Sequence, residues 1–345
     1  MQNTQERRNR QSGGEACEAS RMQSGAEIRC SGDVKLILAP MAGLSDQPFR
    51  RMARLFGADE VVTELISANA FVRENKKTVD LAALHEDERP ASIQIFGSDP
   101  AVMAEAARRV EQFQPLFIDI NMGCPAKKVV RNGAGSALLE NPQRAAAIVK
   151  AVSDAVKVPV SIKIRTGKNH QSKTGLDVAR LAADAGAKRI TVHARTVADK
   201  FCGPIDYDAV ARLRADLPHI ELIGNGDIHS VDDARKWLER TGVDGLMIGR
   251  GAVGHPSIFS AIKRGEPAPA VEDSDTILQH VGWMREFLGD RRCIGPLRAH
   301  MMYYSKGLAD ARRFRQEVTV LEDLEKLKEL VERFFNQNKE AQYAA

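Results

Sequence analysis

From Val34 to about Phe259 the chain repeats one theme: a short apolar, often β-branched run, a turn, then apolar positions three and four residues apart. The runs are VKLILA (34–39), EVVTEL (60–65), ASIQIF (91–96), LFIDIN (116–121), PVSIKI (159–164), RITVHA (189–194), HIELIG (219–224) and DGLMIG (244–249). Near-continuous apolar runs of this kind suit parallel strands covered on both faces. The stretches between them read as amphipathic helices. In SDPAVMAEAARRVEQF, Ser98 or Asp99 is the N-cap, Pro100 opens the first turn, and Val102, Met103, Ala106, Val110 and Phe113 keep helical spacing. NPQRAAAIVKAVSDAV begins another helix, and GLDVARLAADAGA stops at Gly186. Eight strand–helix units predict a (β/α)8 TIM barrel. The rival doubly wound sheet calls for an early G-x-G-x-x-G turn, and none follows the first strand.

Beyond the barrel the pattern changes. GEPAPAVEDS reads as a linker, and VLEDLEKLKELVERFF carries Leu321, Leu324, Leu327, Leu330, Val331 and Phe334 on one stripe. The expected organisation is a disordered tail over 1–32, a catalytic barrel over 33–265 and a small all-helical domain over 270–338. The tail is rich in Gln, Arg, Glu, Ser and Gly without the apolar core of a signal peptide. No apolar run is long enough for a membrane span.

Composition adds two constraints. The five cysteines are scattered with no C-x-x-C pair, against a disulfide framework or a cysteine zinc site and in keeping with a reducing cytoplasm; no metal is expected. A net charge of +4 is too small to argue for nucleic acid, but between Val281 and Arg315 basic residues, Arg298 among them, outnumber acidic ones.

Candidate chemistry follows from the barrel, because its active site lies at the C-terminal strand ends. Those ends carry Pro40, Met41 and Ala42 in a turn of small residues, then Glu64, Gln94, Asn121, Cys124, Lys163, Arg165, His193 and Arg195. The last two strands end in GNGD and GRG. There Gly226, Gly249 and Gly251 can turn backbone amides onto a phosphate, with Arg250 adding charge. Lys163 reads either as a lysine buried against a barrel carboxylate or as a cation beside an electron-rich cofactor. His193 and Gln94 read either as satisfied core residues or as ligand contacts. Cys124, in a Gly–Cys–Pro turn after a strand and with no histidine in its motif, reads as a proton donor or acceptor rather than a nucleophile.

Taken together, LAPMAGLSDQPFRRM, IQIFGSDP, DINMGCPAKKVVRNGAGSALL, SIKIRTG, VHART, IGNGDI and LMIGRGAVGHP resemble the flavin-dependent tRNA-dihydrouridine synthases, most of all their bacterial B-type branch. The resemblance implies a cytoplasmic enzyme that binds FMN in the barrel mouth, takes electrons from NADPH and reduces a uridine of the tRNA D-loop to 5,6-dihydrouridine. It implies Pro40, Met41 and Ala42 along the flavin, Gln94 and Lys163 on its polar edge, and Asn225, Gly226, Asp227, Gly249 and Arg250 at its phosphate with His193 nearby. Cys124 is then the general acid, quenching at C5 the charge left by hydride transfer to C6. Asn121 and Arg195 are expected to hold the uracil, and Lys127, Lys128, Arg131 and Arg298 to meet RNA phosphates near the D-loop and elbow, in a monomer. Pro204 and Ile205 in GPIDYD depart from the family pattern, in a loop expected to help select the uridine. A dihydroorotate dehydrogenase-like barrel acting on a free pyrimidine is the alternative; it has no use for the basic residues beside Cys124.

Overall fold

The computed structural model describes residues 34–344; the tail expected to be disordered, with Cys17 and Cys30, lies outside the described residues. All eight predicted runs form strands: β1 (Lys35–Leu38), β2 (Glu60–Val62), β3 (Ile66–Ser67), β4 (Ala91–Phe96), β5 (Ile118–Asn121), β6 (Val160–Arg165), β7 (Arg189–His193), β8 (Glu221–Asn225) and β9 (Gly245–Ile248). Every pairing is parallel, each strand beside the next around the ring, and β1 pairs with both β2 and β9. The β2–β4 pairing completes a closed eight-stranded barrel, with β3 a short continuation of the second strand along β4.

That second run is the one that breaks. Thr63 Oγ1 accepts the Gln94 N–H at 3.1 Å, taking a ladder donor that a backbone carbonyl would otherwise receive, so the strand ends at Val62, short of the expected Leu65, and pairing resumes only beyond the predicted run at Ile66.

Outward-facing residues such as Leu36, Leu38, Ile93, Ile95, Ile162, Ile164 and Val192 are fully buried under the surrounding helices. These helices are α1 (Gln47–Leu55), α2 (Ala68–Val72), α3 (Lys76–Asp80), α4 (Pro100–Glu111), α5 (Lys127–Val130), α6 (Pro142–Ala155), α7 (Gly175–Asp184), α8 (Tyr207–Asp216), α9 (Val231–Thr241) and α10 (Ile258–Arg264). Their starts follow the sequence signals. Asp99 caps α4 by accepting from the amides of Ala101 and Val102, and Asn141 caps α6 through Arg144 N, interactions worth about 1 kcal/mol each.

Inside the barrel the two halves differ. Ile37, Ala39, Val62, Ile223 and Met247 form a small apolar cluster of their own. Across from them, β4 to β7 send polar side chains inward at every second position: Ser92 and Gln94, Asp119 and Asn121, Ser161 and Lys163, Arg189 and Thr191. The floor is sealed by ion pairs. Arg189 Nη1 donates to both Glu60 oxygens at 2.7 Å and its Nε to Glu221 at 2.7 Å, Lys35 pairs with Glu221, and Ser92 donates to Glu60 at 2.5 Å.

A second hydrophobic core follows in α11 (Ser274–Leu288), α12 (Ile294–Tyr304), α13 (Ala311–Val320) and α14 (Leu324–Ala344). Leu321 does not continue the expected stripe. It ends α13 in extended geometry, and Asp323 accepts from Lys326 N to start α14 afresh. These helices lean on α1: Arg51 donates to Glu286 at 3.1 Å and lies over the Trp283 ring at 4.3 Å. Gly254 presses its backbone on α12, where a Cβ would fall 2.5 Å from the Tyr303 carbonyl carbon. No helix among the described residues is long and apolar enough to cross a membrane.

Candidate active site

A cavity of about 260 Å3 opens at the C-terminal ends of the strands. Pro40, Met41, Ala42, Gln94, Lys163, His193, Asn225, Gly226, Asp227, Gly249 and Arg250 all line it, as do Asn121 and Cys124. The first loop supplies an apolar wall, Ala39 to Ala42, held by Ser45 Oγ, which accepts from Met41 N at 2.7 Å.

Cys124 is positioned by a chain of hydrogen bonds rising from the barrel interior. Ser161 Oγ and Gln94 Nε2 donate to the two oxygens of Asp119 at 2.6 and 2.7 Å. With its amide turned toward Asp119, Gln94 offers Oε1 to Asn121 Nδ2 at 3.0 Å. Asn121 Oδ1 is thereby left to accept the amides of Gly123 at 3.3 Å and Cys124 at 3.0 Å. Each link fixes the flip of the next amide, so the Gly–Cys–Pro turn cannot rotate independently of the barrel. Burial raises the Asp119 carboxyl above the ordinary range, against the opposing hydrogen bonds from Gln94 and Ser161.

Opposite stand cations with few anions. Lys163 Nζ donates to Asn225 Oδ1 at 2.9 Å, and Asn225 is held in that orientation by donating to Met247 O at 2.7 Å. Burial, then Arg165, pushes the Lys163 ammonium down to about 8. Arg165 is 2 % exposed and meets backbone carbonyls only, of Thr196 at 2.9 Å and Lys200 at 2.6 Å. Burial, then Arg195, brings it down to about 10. Burial and the same surrounding cations hold His193 far below its ordinary value, so its imidazole is neutral.

Asp227 has a role other than direct contact with an anion. Its carboxylate pairs with Arg195 and with Arg250 at 3.1 Å, and the Arg195 hydrogen bond lowers its pKa. Only its backbone is free to approach a phosphate. Arg195 is buried behind the wall, joining Asp227 to the carbonyl of Gly203, rather than facing the cavity. The adjoining Gly226 (φ 132°) has no room for a side chain: a Cβ would lie 2.7 Å from Ile205 Cδ1 and 3.0 Å from His193 Cδ2. Ile205 of the GPIDYD loop thus packs directly on this glycine turn. From below, the buried Trp237 of α9 donates its indole N–H to Gly226 O at 2.8 Å.

Lys127, Lys128 and Arg131 are exposed on and just after α5, the first turn beyond Cys124. Arg298 is half-buried and its guanidinium donates to the Leu321 carbonyl, tying α12 to the α13–α14 turn. Sequence reading missed Asp119 and Ser161, although each stands two residues before a chosen site residue on its strand, and therefore on the same inward face. It also missed Phe201, half exposed at the rim with Arg165 and Arg250 near its ring at 5.2 and 5.1 Å. No local pattern marks that residue.

A barrel with a cysteine turn held at one strand end and the cations Lys163 and Arg165 without carboxylate partners at the next is a ligand-binding catalytic barrel, and the chain belongs to the dihydrouridine synthase family, whose pattern it matches over residues 37–340. The family is one of oxidoreductases, and this member falls with its B-type branch. Over 309 residues it is 42% identical to tRNA-dihydrouridine synthase B of Pseudomonas aeruginosa, covering 87% of this chain and 92% of the relative. With the protein of the same name from Salmonella typhimurium it shares 40% identity, covering 87% and 96%. Among solved structures, histamine dehydrogenase from Rhizobium sp. 4-9 aligns with a TM-score of 0.52 at 12% identity, over 77% of this chain and 49% of that one, a likeness of fold.

Proposed function

We propose that the protein reduces uridine to 5,6-dihydrouridine in the D-loop of tRNA, with FMN as cofactor and NADPH as electron donor, in the cytoplasm. The observation that carries this reading is the convergence of a positioned thiol, Cys124, and buried cations without carboxylate partners, Lys163 and Arg165, on one cavity of a dihydrouridine synthase.

The cavity suits a flat anionic group. Its apolar wall, Pro40 to Ala42, offers a ring face, and Gly249 leaves open the space that a Cβ would fill beside Ala39 and Met41, 3.5 Å from each. Gln94 and Lys163 would bond the polar edge of FMN, while Arg250 and the backbone of Asn225, Gly226, Asp227 and Gly249 would hold its phosphate, with His193 alongside as a neutral donor or acceptor. FMN, when bound and reduced, would supply the hydride for C6 of the uracil. Protonated Lys163 stabilises negative charge on that side of the cavity. The Cys124 thiol donates its proton to C5, completing the addition of two hydrogens across one double bond, and is reprotonated from solvent. Asn121 orients the base and the turn that carries the thiol. A stacked uridine must turn outward to enter. Lys127, Lys128 and Arg131 then meet backbone phosphates at the rim, and the helical region over 270–338 grips the tRNA body. A free pyrimidine would leave that exposed basic rim without a task.

The test is to map dihydrouridine in tRNA from cells lacking the protein and to restore it with wild type or Cys124→Ala. Wild type is expected to restore the modification, with the variant slowed on the order of 10²- to 10⁴-fold while it still binds FMN and tRNA. Unchanged dihydrouridine in the deleted strain, or full turnover by the variant, would overturn the reading.

A further inference from the structure

Away from the cavity, where the C-terminal helices meet the barrel, three side chains converge that the proposed reaction does not use. Asp46 caps α1, its Oδ1 accepting from Phe49 N at 2.9 Å. Its other oxygen lies 3.2 Å from His300 Nε2 of α12. His280 of α11 stands beside them, its ring centroid 4.5 Å from that of His300. Both histidines are fully buried, and one ligand atom from each of the three residues lies within 4.8 Å of the other two.

Hydrogen bonding leaves this group incomplete. His280 Nδ1 meets the Tyr304 hydroxyl at 3.1 Å, while His280 Nε2 and His300 Nδ1 have no partner although both are buried. Buried ring nitrogens are ordinarily satisfied, and an ion held between Asp46 Oδ2 and His300 Nε2 would give His280 Nε2 the partner it lacks. When His280 Nδ1–H donates to the Tyr304 hydroxyl, the far nitrogen is unprotonated and free to ligate, the outer-shell arrangement of metal-bound imidazoles.

We propose that Asp46, His280 and His300 form a structural Zn²⁺ site that fastens the C-terminal helices to the barrel. Two imidazoles and a carboxylate are a borderline N/O donor set that suits zinc; unlike the closed four-ligand shell usual for structural zinc, this one leaves the fourth position to a water. The 3.2 Å between Asp46 Oδ2 and His300 Nε2 is close to the edge of a tetrahedron around zinc, about 3.3 Å for legs near 2.0 Å. The scattered cysteines led the sequence reading to expect no metal; this donor set contains none. It joins positions 234 and 254 residues apart, which no spacing motif would reveal.

The site can be tested on the full chain, without a histidine tag, independently of the proposed reaction. The protein is expected to carry one equivalent of Zn²⁺ by elemental analysis and to melt lower after chelation, with recovery on adding Zn²⁺. With Co²⁺ in place of zinc it should show the intense visible absorption of a four-coordinate ion. Asp46→Asn keeps the helix cap, because Asn is as good an N-cap as Asp, and should weaken Zn²⁺ binding on the order of 10- to 100-fold or more. Wild-type protein with no bound Zn²⁺ and no zinc-dependent melting shift would overturn the proposal. So would a zinc content and affinity untouched by Asp46→Asn. Either result leaves the three residues as a hydrogen-bonded latch.

Discussion

The floor and the mouth of the barrel are both built from buried charge, yet they are wired in opposite ways. At the floor, Lys35 and Arg189 face Glu60 and Glu221, and each charge touches one of opposite sign. At the mouth, Lys163 meets an amide oxygen and Arg165 meets carbonyls, while Asp227 answers Arg195 and Arg250 together. A protein gains nothing in stability from desolvating unpaired cations. Their presence at one end, in a barrel that pairs them fully at the other, marks the mouth as a place where the missing negative charge is brought by a ligand.

The sharpest way to break this comparison is to remove one cation from each end. Arg189→Ala strands Glu60 in the interior and is expected to cost about 3–5 kcal/mol in denaturant unfolding. Adding Glu60→Leu to Arg189→Met should return most of that stability. Lys163→Met breaks no direct ion pair and leaves Asp119 its hydrogen bonds from Gln94 and Ser161, so stability should move by less than about 2 kcal/mol, while turnover falls about 100-fold or more. If the two ends respond alike in stability, the contrast fails.

The second prediction concerns pH. Lys163 titrates near 8 in the folded chain against an ordinary 10.5, so the unfolded chain binds more protons between those values. Stability of the ligand-free protein should therefore rise with pH from about 8 to about 10.5, and this contribution disappears in Lys163→Met. FMN affinity should fall over the same rise, as the cation is lost; a flat fluorescence titration across pH 8 would sever Lys163 from the ligand. The smallest effect belongs to the rim. Replacing Lys127, Lys128 and Arg131 together by Ala should weaken tRNA binding about tenfold at low salt and lower the salt slope by about one unit per lost contact, with FMN binding unchanged.

How far the sequence carried follows the length scale of each interaction. The strands and most caps depend on neighbours within a turn or an alternation, and ASIQIF and Asp99 show this at their expected places. Cavity-lining residues were legible for the same reason, since a barrel converts strand end into location. The direction a side chain takes was less legible from residue type alone. Arg195 and Arg298 carry the expected charge, but the structure turns one to Asp227 and the other to the Leu321 carbonyl. Asp119 and Ser161 went unread because their partners lie on other strands, and the His280–His300 contact lies across two helices and a distant loop.

The placement of its indole side chains gives the molecule its own optical instrumentation. The chain has two tryptophans, and each sits at a junction that matters. Trp237 is wedged beneath the ligand loop and bonded to Gly226, so its emission is tied to whatever that loop holds. Trp283 lies against Arg51 where the helices meet the barrel, so its emission reports that joint instead. Single Trp→Phe variants thus split the fluorescence of the unlabelled protein into two channels, one that follows loading of the cavity and one that follows the seating of the C-terminal helices.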